Sequence, residues 1–342
     1  MKYKRVVITR CGGPEVLQVV EDELPEPQMG QVRVKILAAG VAATDIMLRE
    51  TNMPGLGAPS PPYSPGKELV GVVDKLGDGV STLELGQAVA ICLDQKTFGA
   101  YAEFICVPAN ELVPVPSGLD PAEAVCLVAN YVVAYQVLHR AAQVAPGERV
   151  LIHGAAGGIG TALLQLGQLA ELKMYGTAST GKQELVANLG ATPIDYKKED
   201  FVERIFRLTG DGVDVVCDPI GGSNVPRSYK TLRPGGRLVV FGAVSFATDG
   251  MLKILWNNMV LPKILNFIPD KKATMSYMMR GGAKSHSRPE WYREDLSKLF
   301  DLLAQKKIEP IVTRMPLVEA ARAHELIGKA SVKGKIVLMC DT

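Results

Sequence analysis

The stretch "RVLIHGAAGGIGTALLQLGQLA", Arg149 to Ala170, breaks an apolar run into glycines and then resumes it at helical spacing. Gly157 and Gly160 follow a predicted strand and open a predicted helix. Glycine permits tight turns and lets a ligand approach the main chain without a Cβ in the way. A helix N-terminus adds unpaired N–H groups and partial positive charge, which suits a pyrophosphate. Ala156, Gly157, Gly158, Ile159 and Gly160 are therefore the candidate cradle. Ala155 stands at the first glycine position of the GxGxxG pattern, and the strand–turn–helix context is the one the motif requires. A glycine-rich turn without a ligand is the plainer alternative. Ile159, Leu163, Leu166 and Ala170 give the helix a face for a sheet.

An NAD site usually carries an acidic residue ~20 residues after the first glycine. The corresponding stretch here is "YGTASTGK", and no acid occurs between Glu171 and Glu184. It offers Thr177, Ser179 and Thr180, then Lys182. An extra phosphate is welcome in such surroundings, where a carboxylate would repel it. The expectation is NADPH rather than NADH, with Ser179 and Lys182 at the phosphate. A solvated helix-start lysine is the alternative for Lys182.

The elements that must hold these residues follow from the pattern. Up to about Asp120 the chain reads as short strands: "KRVVITR", "LQVVEDEL", "QVRVKILAAGV", "ELVGVVDKLG", "AVAICL" and "AYAEFICVP", separated by turn signals. This predicts a small barrel-like or sandwich module. "LDPAEAVCLVANYVVAYQVLHRAA" reads as a helix with Asp120 as N-cap and Pro121 in the first turn. Strands and helices then alternate, with "SYKTLRPG" read as a short helix before the strand "GRLVVFGAV". The alternation predicts right-handed βαβ units and a parallel sheet. Residues 246–290 are less regular, rich in Met, Leu and Ile, and read as part pocket wall and part subunit contact. "ATMSYMMR" could be a further strand. The tail, two helices and the strand "KGKIVLMC", is expected to pack back on the first module.

At 342 residues the chain accommodates about two domains. Its 47% hydrophobic and 22% charged residues suit a well-cored protein. A net charge of +2 gives no electrostatic case for nucleic acid or an anionic membrane, and the pairs Lys197-Lys198 and Lys271-Lys272 read as solvated surface. The six cysteines form no CxxC, so reduced thiols in a cytoplasm are expected. "MKYKRVVITR" lacks the apolar core of a signal peptide. Five glycines and His153 argue against a membrane span in Val150–Ala170.

The strand-rich N-terminal module, the AAGGIG loop and the closing "KGKIVL" strand together resemble the medium-chain dehydrogenase/reductase superfamily over essentially the whole chain. "GERVLIHGAAGGIGTALLQL" resembles its quinone oxidoreductase, or zeta-crystallin, branch. "ANYVVAYQVL", "YGTASTGK", "PIDY" and "DVVCDPIGGS" are similar to the vesicle amine transport protein-like members. The resemblance implies an α/β fold, in which a Rossmann doubly wound parallel sheet domain (126–283) joins a GroES-like β-rich catalytic domain (1–125, completed by 284–342). It also implies a homodimer formed through the edge of the nucleotide-domain sheet.

Zinc members hold a catalytic metal with a first ligand in a "GVCHTD"-like phrase, a second in a "PGHE"-like phrase and a third before the helix phrase. Here those phrases read "GVAATD" and "PGKE", so Ala42 and Lys67 stand at the first two positions, and Ala129 aligns with the third. The four-cysteine zinc lobe is missing too. Zinc needs several N, S or O ligands in one shell, so no metal is expected. Cys92 and Cys106 are expected to pack as small apolar residues.

Without a Lewis acid, the easier reaction is hydride delivery to an already electrophilic acceptor such as a quinone or an α,β-unsaturated carbonyl. The protein then supplies orientation, water exclusion and a hydrogen-bond donor. The resemblance places Ala42, Thr44, Met47, Tyr63, Lys67, Asn130, Tyr131 and Val133 around the substrate, in a cleft between the modules. Relatives often carry Asn at position 42 and Thr at 133, so this pocket is more apolar and suits a bulkier lipophilic enone. Lys67 would polarise a carbonyl; alternatively it points to solvent or pairs with Glu68 or Asp45. Tyr63 could instead cap a core, and Asn130 a helix turn. The resemblance also places Tyr196 near the adenine ribose phosphate, the backbone of Phe241 and Gly242 near the nicotinamide, and Lys329 or Lys333 near the phosphate. His153 reads as a satisfied core histidine, while His139, His286 and His324 show no evident partner. The competing function is a cofactor-binding scaffold with little turnover.

Overall fold

The computed structural model describes all residues except 52–59, 94–96, 243–249, 269–272, 277–288 and 341–342. His286 and much of 246–290 therefore lie outside the described residues. The chain divides into two compact units, Met1–Val132 with Met279–Thr342, and Val133–Met278.

The first unit begins with β1 (Lys2–Ile8) and β2 (Leu17–Glu23), an antiparallel pair. β3 (Gln31–Val41), β4 (Glu68–Leu76), β5 (Ala88–Cys92), β6 (Phe104–Pro108) and β7 (Val113–Pro114) follow. A helix missed in the sequence, Ala43–Glu50, leaves β3 directly. Its cue was Asp45 at the third helical position, whose carboxylate accepts the Ala42 N–H at 2.9 Å.

In the second unit β8 (Arg149–Ile152), β9 (Lys173–Ala178), β10 (Ala191–Asp195), β11 (Val213–Asp218), β12 (Leu232–Val240) and β13 (Ala273–Ser276) form one sheet. All its pairings are parallel, in the order β10-β9-β8-β11-β12-β13. In sequence rank this is 3-2-1-4-5-6, the dinucleotide-binding order. Two assignments differ from the sequence reading. β10 was not anticipated because Pro193 interrupts "ATPID"; as an edge strand it spares the missing N–H. "SYKTLRPG" divides, its front half ending the helix Asn224–Lys230 and its "LRPG" opening β12.

β14 (Val312–Pro316) and β15 (Lys335–Met339) complete the first unit. Its larger sheet runs β14-β15-β3-β4-β5-β7. β3 is long enough to pair twice along one side, with β6 over 31–35 and with β15 over 38–41. Alternate residues Val32, Val34 and Ile36 enter the core, as a half-covered antiparallel strand demands.

The helical run 121–142 starts as read: Asp120 accepts N–H bonds from Ala122 (2.9 Å) and Glu123 (3.0 Å). The run is long and apolar enough to cross a bilayer by those measures alone, yet 72% of the apolar window is buried inside the protein. Asp120 also pairs with Arg314 at 2.9 Å. Asp120→Ala is expected to cost about 1 kcal/mol of stability, read by urea unfolding, mostly from the lost cap, since the ion pair is exposed.

Candidate functional site

The glycine turn leaves the end of β8, and the helix Gly158–Leu169 starts directly after it. Gly154 takes φ +63, a conformation disfavoured for side-chain-bearing residues. A Cβ on Gly160 would overlap the Gly154 carbonyl oxygen and lie 2.7 Å from Ala155 Cα. Here glycine is required by the protein's own backbone, which folds into contact with itself. The N–H groups of Gly158, Ile159 and Gly160 precede the first intrahelical bond, Thr161 N–H to Gly157 O at 2.8 Å, and are free of helical acceptors.

A buried hydrogen-bond chain fixes this turn. Ser228 Oγ donates to Asp218 Oδ2 at 2.7 Å, so His153 Nε2–H must donate to Ser228 Oγ at 3.1 Å. His153 Nδ1 then accepts from Thr177 Oγ1 at 3.1 Å, and Thr177 Oγ1 accepts the Gly154 N–H at 3.3 Å. Each hydrogen is used once, and the chain needs a neutral imidazole. Burial pushes the His153 pKa down accordingly. The core histidine read from sequence is satisfied, and it also ties the glycine turn to the end of β11.

The other cofactor candidates of this unit follow the carboxyl ends of neighbouring strands. Ser179 directly follows β9, and Lys182 closes the short turn after it. Asp195, at the end of β10, accepts from the Thr180 side chain and the Lys197 N–H, which hold its pKa down. Tyr196 follows β10, is about half exposed and has Lys197 Nζ 5.4 Å from its ring centre. Phe241 and Gly242 follow β12. Asn258, which the sequence reading missed, accepts the Gly222 N–H at 2.8 Å and donates to Gly242 O at 2.8 Å, binding the loops after β11 and β12 together. Lys329 belongs to the first unit; it is exposed and lies 4.0 Å from Glu325.

The substrate candidates fall into three groups. Ala42 caps the helix Ala43–Glu50, which carries exposed Thr44 and half-buried Met47. Tyr63 packs edge-on against Phe98 (5.6 Å between centres), and Lys67 Nζ lies over the same ring at 4.5 Å. The Tyr63 hydroxyl is buried with no hydrogen-bond partner among the described residues, and burial pushes its pKa up to about 12. Asn130 is inside the helical run and caps nothing; its Oδ1 accepts from Lys335 Nζ at 3.3 Å. Tyr131 is almost fully buried beside it, and Val133, buried too, falls in the second unit.

His324 has partners, against expectation, and they lie far away in sequence. Arg49 donates to its Nδ1 at 3.1 Å, and its Nε2 lies 3.3 Å from the Tyr101 hydroxyl, which donates to Asp45 at 3.0 Å. Arg49 and the Tyr101 hydrogen leave room for one tautomer only, Nε2–H, uncharged. Burial and Arg49 hold the His324 pKa down to about 3, while burial raises Asp45 to about 6. His139 rests against the Tyr135 ring at 4.5 Å. Glu68 and Lys335 form a buried ion pair at 2.6 Å. All six cysteines are free thiols; Cys92 is buried and Cys106 half-buried.

A glycine-cornered 3-2-1-4-5-6 sheet, joined in one chain to a β-rich unit with a polar centre, defines a two-domain nucleotide-dependent oxidoreductase. Residues 28–117 match the alcohol dehydrogenase GroES-like domain, and residues 189–338 the family described as zinc-binding dehydrogenase. The chain belongs to the medium-chain dehydrogenase/reductase superfamily, on its quinone oxidoreductase branch. It is 35% identical to the synaptic vesicle membrane protein VAT-1 homolog of Rattus norvegicus, over 98% of this chain and 83% of the relative. It superposes on Escherichia coli quinone oxidoreductase complexed with NADPH with a TM-score of 0.86 at 29% identity, covering 98% of this chain and 99% of that one. The human VAT-1 homolog-like protein superposes with a TM-score of 0.80 at 27% identity, covering 100% and 99%.

Despite the family's description, the residues at the zinc positions do not fit the metal. Ala42 and Ala129 offer no donor atom, and the Lys67 ammonium is seated on an aromatic face. No group of three His, Cys, Asp or Glu suited to a metal exists among the described residues.

Two outcomes test these chains. Ser228→Ala strands the His153 Nε2–H and is expected to cost about 1–3 kcal/mol in urea unfolding; an unchanged midpoint would refute the chain. The folded pKa of His324 lies below its unfolded value of ~6.5, so its contribution is complete above that pH and is lost as pH falls toward about 3. Asp45 runs oppositely: its contribution is complete below ~3.9 and is lost as pH rises through about 6. His324→Asn should therefore flatten the acid-side loss of stability between pH 6.5 and 4, by up to ~1.4 kcal/mol per pH unit; parallel curves for variant and parent would exclude it.

Proposed function

We propose that this protein is an NADPH-dependent, zinc-free reductase of quinones or α,β-unsaturated carbonyls, acting in the cytoplasm as a homodimer. The observation that carries the reading is the bare corner at Gly154–Gly160, held by the His153 chain at the carboxyl end of a sheet in dinucleotide-binding order. The residues present fit the cofactor. Ala156 to Gly160 would hold the pyrophosphate on main-chain N–H groups. Ser179, Lys182 and Tyr196 would receive the extra phosphate. Phe241 and Gly242, tied down by Asn258, would border the nicotinamide.

NADPH, when bound, supplies the hydride. An enone or quinone would take that hydride at carbon, its π electrons would move onto the carbonyl oxygen, and a solvent proton would complete the reduced product. The chain's part is to orient the acceptor, exclude water and donate hydrogen bonds to that oxygen. The buried Tyr63 hydroxyl, without a partner among the described residues, and the Asn130 amide are suitable donors, and Lys67 over Phe98 brings a positive charge beside Tyr63. Ala42, Thr44, Met47 and Tyr131 of the first unit would supply a mostly apolar lining, which favours a lipophilic enone. Among the described strands β13 is an edge of the sheet, which supports dimerisation through it, and free thiols fit a reducing compartment.

Following NADPH absorbance against a panel of quinones and enones tests the activity. Saturable NADPH binding without oxidation across the panel would favour the scaffold reading. Ser179→Asp is expected to weaken NADPH binding at least tenfold while sparing NADH, measured by fluorescence titration; equal losses for both would remove Ser179 from the phosphate site.

A further inference from the structure

β15, β3 and β4 lie side by side, with Val337 and Glu68 both in register with Gly40. Adjacent strands are ~4.8 Å apart, so a link from β15 to β4 must cross ~10 Å over the middle strand. Lys335 makes that crossing and meets Glu68 at 2.6 Å. It can do so because residue 40 has no side chain: a Cβ there would lie 2.6 Å from Lys335 Cε and 2.9 Å from Glu68 Cδ. Both charged side chains are at least 96% buried, at 3% and 4% exposure. A buried ion pair contributes little net stability, since desolvation offsets attraction. What it does contribute here is a fixed ammonium.

That ammonium's second partner is Asn130 Oδ1, at 3.3 Å. Lysine only donates, so the amide must present its oxygen to Lys335 and turn its Nδ2H2 away. Asn130 Nδ2 has no partner among the described residues, and Asn130 is only half-buried. We propose that the Glu68–Lys335 pair, crossing over Gly40, sets the amide orientation of Asn130 so that Nδ2–H is presented to the acceptor's carbonyl oxygen, where charge gathers as hydride arrives. Lys335 and Glu68 are positioning residues, and Asn130 is the group that touches substrate. A free amide could flip and offer its oxygen, repelling the developing charge; this one cannot. The inference rests on the carbonyl-reductase reading above.

The test is a double-mutant cycle read on 1-octen-3-one and 1,4-benzoquinone with NADPH. Asn130→Ala is expected to lower kcat by ~10²-fold with little change in KM, as for a lost oxyanion donor. Lys335→Met should lower kcat ~10-fold or more alone, yet by less than twofold in the Asn130→Ala background. Lys335→Arg should recover part of the loss. Because Lys335→Met strands Glu68, the pair is also removed whole as Glu68→Gln/Lys335→Met, with melting temperature and NADPH affinity followed throughout. Multiplicative losses of kcat would overturn the proposal, and so would an Asn130→Ala variant with parental kcat.

A second arm needs no turnover. Binding of the saturated ketone 3-octanone to the NADP⁺ complex is measured by calorimetry. Asn130→Ala and Lys335→Met should weaken it by similar factors, and the double variant no further. Ketone affinity untouched by either overturns the proposal. Cycle behaviour in ketone binding, without NADPH oxidation on any acceptor, upholds the positioning and overturns the reductase reading alone.

Discussion

At the end of β8 the main chain folds so tightly that a single methyl group on Gly160 would collide with Gly154 and Ala155. Much of the nucleotide unit's functional geometry depends on that near-contact. It brings a strand's carboxyl end and a helix's amino end together, so that the N–H groups left over from helix initiation face one place. The turn does not hold this shape unaided. Thr177, His153 and Ser228 run from β9 past β8 toward β11 beneath it, each passing its hydrogen to the next, and Asp218 accepts the last one. Such a chain is worth its cost only when complete, because a buried donor without an acceptor is penalised heavily.

The first unit uses the same device with different residues. Arg49, His324 and Tyr101 form a second directional chain through an uncharged imidazole, ending on the Asp45 carboxylate, which also accepts the N–H of Ala42. In the zinc-bearing branch that corner offers a thiolate. Here it offers a methyl group, and the polar groups beneath it hold the helix Ala43–Glu50. The adjoining Glu68–Lys335 pair belongs to the same layer.

How legible this was depends on sequence distance. The glycine corner, the missing acid after β9, the N-cap at Asp120 and the alternating pattern are all local, with their physical causes within a few residues of one another. β10 escaped notice because Pro193 reads as a breaker unless the strand is known to be an edge. The partners of His324 escaped it because Arg49 and Tyr101 lie 275 and 223 residues away. Lys335 looked like one more lysine in "KGKIVL"; nothing near it announces Glu68 or Asn130.

By itself, then, the sequence determined the local grammar: which segment is strand, which is helix, where a backbone must be bare and where a carboxylate must be absent. Those properties arise from steric exclusion and charge over short separations, which a linear string displays. Tertiary structure decided which polar groups meet. Whether a histidine is neutral, whether an amide shows its oxygen or its nitrogen, and whether a lysine is solvated or buried all depend on burial and on partners brought in by other strands. Desolvation and hydrogen-bond direction are properties of a packed neighbourhood, and no run of adjacent residues contains one.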